Sequence, residues 1–205
     1  MKRRLLLTVL SAFTASLVIN LPSVAQACAG IPNLEHSTVS TQGGVLLACP
    51  SGDGPRLEDI GGTVSITVRS MCPGWPGPLP IAGIPATDIW LWSDGLVLCG
   101  GSSSSNADGP TDSEGQTTIS GPVASGGYAG TIHVVVMGIL LGELPTLTIV
   151  SPDIDGDLQV DLVDLAAFAV AYTGAFDPRA DMDGNGLLDL RDLSLFAAHW
   201  QHVCD

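Results

Sequence analysis

The C-terminal end of the chain carries one pattern twice. A shift of 28 residues lays Asp153 on Asp181, Asp155 on Asp183, Gly156 on Gly184 and Asp157 on Asn185. The match continues through Asp161 and Asp189, Leu162 and Leu190, Asp164 and Asp192, Leu165 and Leu193, and Phe168 and Phe196. Tyr172 falls on Trp200. An internal repeat of this quality is one structural unit used twice. In each unit the oxygen-bearing side chains stand at positions 1, 3, 5, 9 and 12 of a loop. So many carboxylates held within a few ångströms repel one another unless a cation neutralises them. Oxygen donors without His or Cys suit calcium rather than zinc or copper, and the spacing is that of a twelve-residue calcium loop.

The two loops differ at position 6. The second has Gly186 at the sharp turn, whereas the first has Leu158. A left-handed backbone costs a leucine about 1–2 kcal/mol, so the site at 181–192 is expected to bind more strongly than the site at 153–164. Position 12 is Asp in both loops, a shorter arm than the usual Glu. The apolar residues at position 8, Val160 and Leu188, are expected to join the loops through a short two-strand contact. One helix should follow each loop. Leu162, Leu165, Phe168, Ala169 and Tyr172 form one apolar face, and Leu190, Leu193, Phe196, Ala197 and Trp200 repeat it. These faces are expected to pack on each other. Pro152 and Pro178 keep the segments entering the loops out of helix.

Loop–helix, linker, loop–helix resembles the dockerin family, the duplicated calcium module by which secreted proteins attach to cohesin domains. The resemblance covers about residues 152–202. It implies one calcium site from Asp153, Asp155, Asp157, Gln159, Asp161 and Asp164. It implies a second from Asp181, Asp183, Asn185, Leu187, Asp189 and Asp192, position 7 offering its backbone carbonyl in each case. The family reads its partner with positions 10 and 11, here Leu162 and Val163, then Leu190 and Arg191. Many dockerins carry hydroxyl pairs there and this chain does not, so the partner implied is a cohesin-like or other extracellular protein.

Residues 28–150 have another character, rich in Gly, Pro, Ser, Thr and Val. Seven short β-rich runs, at 45–49, 63–69, 87–92, 96–99, 116–120, 131–137 and 144–150, suggest an antiparallel sandwich. The apolar stretch at 132–141 is too short to span a bilayer and reads as a buried strand or strand pair. The segments Thr63-Val-Ser-Ile-Thr-Val, Pro80-Ile-Ala-Gly-Ile-Pro85 and Thr111-Asp-Ser-Glu-Gly-Gln-Thr-Thr-Ile119 resemble bacterial immunoglobulin-like repeats of the invasin/intimin type. The expected fold is therefore an Ig-like β-sandwich (28–150) followed by a small all-α calcium-binding domain of duplicated loop–helix units (151–205).

Residues 1–27 read as a secretory signal peptide: Lys2, Arg3 and Arg4, an apolar stretch, then Ala25-Gln-Ala27. A membrane anchor and a lipoprotein with Cys28 first are the alternatives. Export permits disulfides, but the pairing among Cys28, Cys49, Cys72, Cys99 and Cys204 stays open. Seven Lys+Arg face 21 Asp+Glu, and three of the seven lie in the signal. That balance disfavours nucleic acid and anionic membrane as partners, since both need basic patches. His199 and His202 have an i, i+3 spacing that could seat a metal but read as a solvated helix end; Trp75 reads as a turn aromatic rather than a sugar platform, and Trp90 and Trp92 as core residues.

No catalytic motif stands out. The chain is expected to be a secreted or cell-surface bacterial protein, non-enzymatic and calcium-binding, whose tail docks an Ig-like module, with no membrane span once the signal is cleaved. The alternative is a carbohydrate-binding or weakly hydrolytic component of a polysaccharide-degrading assembly.

Overall fold

The run Thr63-Val-Ser-Ile-Thr-Val alternates as a half-buried strand should, and Val64, Ile66 and Val68 all point into the interior. The computed structural model describes residues 30–72, 74–100 and 105–204. The signal read at 1–27, the lipidation option at Cys28 and residues 101–104 lie outside these.

Among the described residues twelve strands form: β1 (Thr38–Ser40), β2 (Gly44–Leu47), β3 (Val64–Thr67), β4 (Arg69–Ser70), β5 (Leu79–Pro80), β6 (Ile89–Trp92), β7 (Leu96–Leu98), β8 (Gln116–Ile119), β9 (Ser125–Ala129), β10 (Ile132–Val136), β11 (Ile139–Leu144) and β12 (Leu147–Val150). Two helices follow, α1 (Leu162–Thr173) and α2 (Leu190–Ala198). The strands form four sheets, ordered β1-β3-β8, β11-β10-β6, β2-β12-β9-β7 and β4-β5. The stretch at 132–141 is the β10–β11 hairpin, turned at Met137 and Gly138, which both have positive φ (52° and 78°). Such a two-residue turn matches the twist of its strands. Among the described residues, no helix is long and apolar enough to cross a membrane.

The expected architecture, an Ig-like sandwich plus a separate all-α calcium domain, is not what forms. The described residues are mostly β, in four sheets, with two short α-helices among them. The reason lies in the sheet β2-β12-β9-β7. Its β2 and β12 run parallel, Leu147 opposite Gly44 and Val150 opposite Leu47, so the second strand closes against the last. Both faces of this sheet are buried. Leu46, Leu147, Ile149 and Ala129 face the β core with Val64, Ile89, Leu91 and Ile132. Leu47 and Val150, with Val45 and Tyr128, face the other way and pack with Ile154, Phe168, Met182 and Phe196 of the tail. The tail is the layer that covers the second face. The apolar run Val45-Leu-Leu-Ala, and Leu147-Thr-Ile-Val with Thr148 its one polar residue, are what a strand covered on both sides requires.

A disulfide between Cys99, just after β7, and Cys204 fixes the chain end to the same sheet, spanning 105 residues. Cys72 is disulfide-bonded as well. The helices meet through Phe168 and Phe196, ring centroids 5.8 Å apart. Leu162 and Leu190, expected in that seam, are instead 70% and 71% exposed. Trp90 and Trp92 also depart from expectation, because Ile89 and Leu91 take the inward positions of β6 and turn both indoles outward.

Candidate metal centres

Each acidic loop is built by carboxylates that collect backbone N–H groups. Asp153, fully buried at position 1, accepts from Gly156 (2.8 Å) and Asp157 (3.2 Å) through Oδ1 and from Leu158 (2.8 Å) through Oδ2. Asp164 at position 12 closes the loop, accepting from Ile154 (2.7 Å), Asp155 (3.1 Å) and Asp161 (2.9 Å). The second loop repeats this. Asp181 accepts from Asn185 (3.1 Å) and Gly186 (2.9 Å), and Asp192 from Met182 (2.8 Å) and Asp189 (2.9 Å). Positive φ at loop positions 4 and 6 makes the turns possible: 77° at Gly156 and 71° at Leu158, 68° at Gly184 and 83° at Gly186. Leu158 therefore does adopt the left-handed conformation that glycine takes at the equivalent place.

The result is two matching groups, Asp153 with Asp155 and Asp164, and Asp181 with Asp183 and Asp192. In each, one oxygen per residue lies within 4.8 Å of the others. These are positions 1, 3 and 12, and such groups can hold a metal ion. One oxygen of the second group, Asp183 Oδ2, is buried without a hydrogen-bond partner. The exposed Arg191 guanidinium stands 3.0 Å from it, close enough for charge attraction but poorly aligned for a hydrogen bond.

The other sequence-derived ligands are placed differently. Asp161 and Asp189 at position 9 are N-caps, accepting from Val163 (2.7 Å) and Arg191 (2.6 Å), and each forms a capping box with the position-12 residue. Asp157 and Asn185 at position 5 turn onto the N–H of Gln159 (2.9 Å) and Leu187 (2.8 Å). The expected contact between Val160 and Leu188 is replaced. Val160 pairs with the C-terminal segment, donating to the His202 carbonyl (2.9 Å) and accepting from Gln201 (3.0 Å), while Gln159 bridges Val203. The Cys99–Cys204 bond holds that segment at the edge of the first loop.

Both loops rest on the β2-β12-β9-β7 sheet. The Asp153 carbonyl accepts from Gly127 of β9 (2.7 Å), and Ser151 Oγ donates to the Ser125 carbonyl (3.0 Å). A side chain at Gly126 would strike the Asp153 carboxylate, and one at Gly184 would strike Val45 of β2. The Asp153 carboxylate is fixed by three backbone donors and cannot swing away. Gly126→Ala is therefore expected to weaken metal binding at the first loop by more than about tenfold and to leave the second loop unaffected, as read by titration of the full chain.

Burial pushes the Asp153 carboxyl up to about 6, against the pull of its backbone donors. Asp164 is raised too, again chiefly by burial. The folded ion-free state thus holds these protons more tightly than the unfolded chain does. Their contribution to ion-free stability is full at acid pH and declines as pH rises through about 6 for Asp153. A bound cation takes the place of the proton. Metal affinity at the first loop is therefore expected to fall as pH drops below about 6, measurable by titrating the chain at neutral and mildly acid pH.

Sequence reasoning missed a third group. His199 and His202, read as a solvated helix end, lie with Cys49 and Asp53, all four donor atoms within 4.8 Å. The i, i+3 spacing of the two histidines was the one available signal, and their partners come from the loop after β2. No family model, curated protein or solved structure matches the chain.

Proposed function

We propose that this is an exported, non-enzymatic protein whose two C-terminal loops bind calcium and thereby fix a docking face for another extracellular protein. The observation that carries this reading is the duplicated group of buried carboxylates at positions 1, 3 and 12, with oxygen donors alone. The loop at 181–192 is the stronger site, because Gly186 takes its left-handed backbone freely whereas Leu158 does so at a cost of about 1–2 kcal/mol.

The docking face follows from the helix starts. Leu162 and Leu190 are the first residues of α1 and α2, each directly after a capping Asp, and both project into solvent. Val163 beside Leu162 is exposed as well. These are the positions with which a dockerin reads its partner, which supports a cohesin-like or comparable apolar surface as the target. Calcium would hold the loops, and so the angle at which the two leucines are presented.

Because the tail shares a core with the sheet, the test uses the full mature chain. Calorimetric titration is expected to show two calcium ions bound at about 0.1–1 mM. The double variant Leu162→Asp, Leu190→Asp should keep both ions and lose calcium-dependent retention of the secreted partner. Absence of calcium binding across that range would end the reading.

A further inference from the structure

The loop after β2 and the last turn of the chain meet at a place the acidic loops do not use. Cys49 is fully buried and is the free cysteine among the described residues. Its Sγ lies 3.1 Å from His202 Nδ1. That nitrogen is 3.4 Å from His199 Nδ1 and 3.4 Å from Asp53 Oδ1, and His199 Nδ1 is 3.8 Å from the same carboxylate oxygen.

Hydrogen bonding does not account for this convergence. A ring Nδ1 donates once or accepts once, yet sulfur, nitrogen and two oxygens crowd around that of His202, Ser51 Oγ among them at 3.1 Å. At most one of these contacts is a hydrogen bond. A single ion draws the four ligand atoms together, and it asks the 3.1 Å sulfur–nitrogen contact to open and the 3.8 Å His199–Asp53 separation to close by a few tenths of an ångström. Metal–nitrogen bonds of about 2.0–2.1 Å set neighbouring donors about 3.3–3.4 Å apart on the edges of a tetrahedron. The His199–His202 and His202–Asp53 separations have that length.

We propose that Cys49, Asp53, His199 and His202 form a tetrahedral zinc site that ties the loop after β2 to the C-terminal end of the chain. One thiolate, two imidazoles and a carboxylate are a borderline-soft donor set, which suits zinc and not calcium. Four protein ligands leave no open position, so the role is structural. Binding converts the Cys49 thiol to a zinc thiolate and releases its proton to solvent, while both imidazoles ligate in their neutral form. Ser51 Oγ donates to Asp53 Oδ1 (2.6 Å) and orients the carboxylate without being a ligand. The His202 carbonyl also accepts from Val160, so the site abuts the first acidic loop through the backbone. None of the loop carboxylates takes part, and zinc binding here stands or falls independently of calcium.

The test uses the full mature chain in saturating calcium. Zinc is titrated against a chromophoric chelator, and cobalt(II) is used as a spectroscopic substitute. The expected result is one zinc per chain and a tetrahedral cobalt spectrum with a sulfur-to-metal charge-transfer band. Cys49→Ser should abolish that band, and His199→Gln or His202→Gln should lower zinc affinity by more than about tenfold. The calcium titration should be unchanged in these variants, and Ser51→Ala should still bind zinc. Failure of the wild-type chain to retain zinc would overturn the proposal. So would an octahedral cobalt spectrum, or zinc affinity in both histidine variants equal to that of the wild-type chain, and the wild-type readouts decide the matter even if Cys49→Ser misfolds.

Discussion

Replacing Asp164 with alanine is expected to abolish metal binding at the first loop and to lower the stability of the folded chain by about 3 kcal/mol. Asp161→Ala should cost only about 1 kcal/mol, the value of an N-cap, and should keep the site. The difference comes from what each carboxylate holds. Asp164 is fully buried and accepts from Ile154, Asp155 and Asp161, so its loss leaves the N–H of buried Ile154 without a partner. Asp161 is partly open to water and its acceptor role is the first turn of α1. Chemical denaturation and calorimetry on both variants, in calcium and in chelator, separate the two effects. Equal losses at 161 and 164 would contradict the division between a cap and a ligand. Asp164→Asn, which keeps an acceptor but removes the charge, should recover part of the stability and little of the affinity.

Removing the Cys99–Cys204 bond is the second large effect. A crosslink over 105 residues restricts the unfolded chain by about 4–5 kcal/mol in the loop-entropy account. The double variant Cys99→Ser, Cys204→Ser should lose about that much in urea unfolding. A variant is preferable to a reductant, because Cys72 is also disulfide-bonded. The loss should appear first at the chain end. With Cys204 released, the segment that pairs with Val160 keeps the backbone contacts of residues 201–204, the side-chain contacts at His199 and His202 and the packing of Trp200 on Phe196. Amide exchange at Val160 should accelerate before exchange in β10, which sits in the β core. An unchanged urea midpoint would mean that the bond adds nothing the packing has not already secured.

The acidic loops were legible because their logic is local. Carboxylates at fixed spacing and glycines at the turns lie within twelve residues, and the backbone donors they need are their own neighbours. The seven β-rich runs were legible for the same reason, since Val64, Ile66 and Val68 declare a face by alternation. What failed was non-local. Ser125-Gly-Gly-Tyr-Ala has little strand propensity outside Tyr128, yet it is β9, because a chain without side chains at 126 and 127 is what admits the Asp153 loop on one side and the Gly95 backbone on the other. The two-sided burial of β2 and β12 depends on a tail a hundred residues away from β2. Leu162 and Leu190 fit the helical stripe by spacing, and only the angle at which the helices meet through Phe168 and Phe196 leaves them in solvent. Cys49 and His202 touch across 153 positions, a distance at which no sequence pattern speaks.

The parallel pairing of β12 with β2 also has a mechanical meaning. The tail leaves the sheet directly from the end of β12, so tension on the tail pulls β12 along its own axis. Its hydrogen bonds to β2 and β9 then resist together, as in shear, rather than opening one after another as a zipper would. The Cys99–Cys204 bond provides a parallel path, carrying force from the chain end into β7 at the far edge of the same sheet. A module attached through its C-terminal face would thus meet load with a whole sheet instead of a single strand.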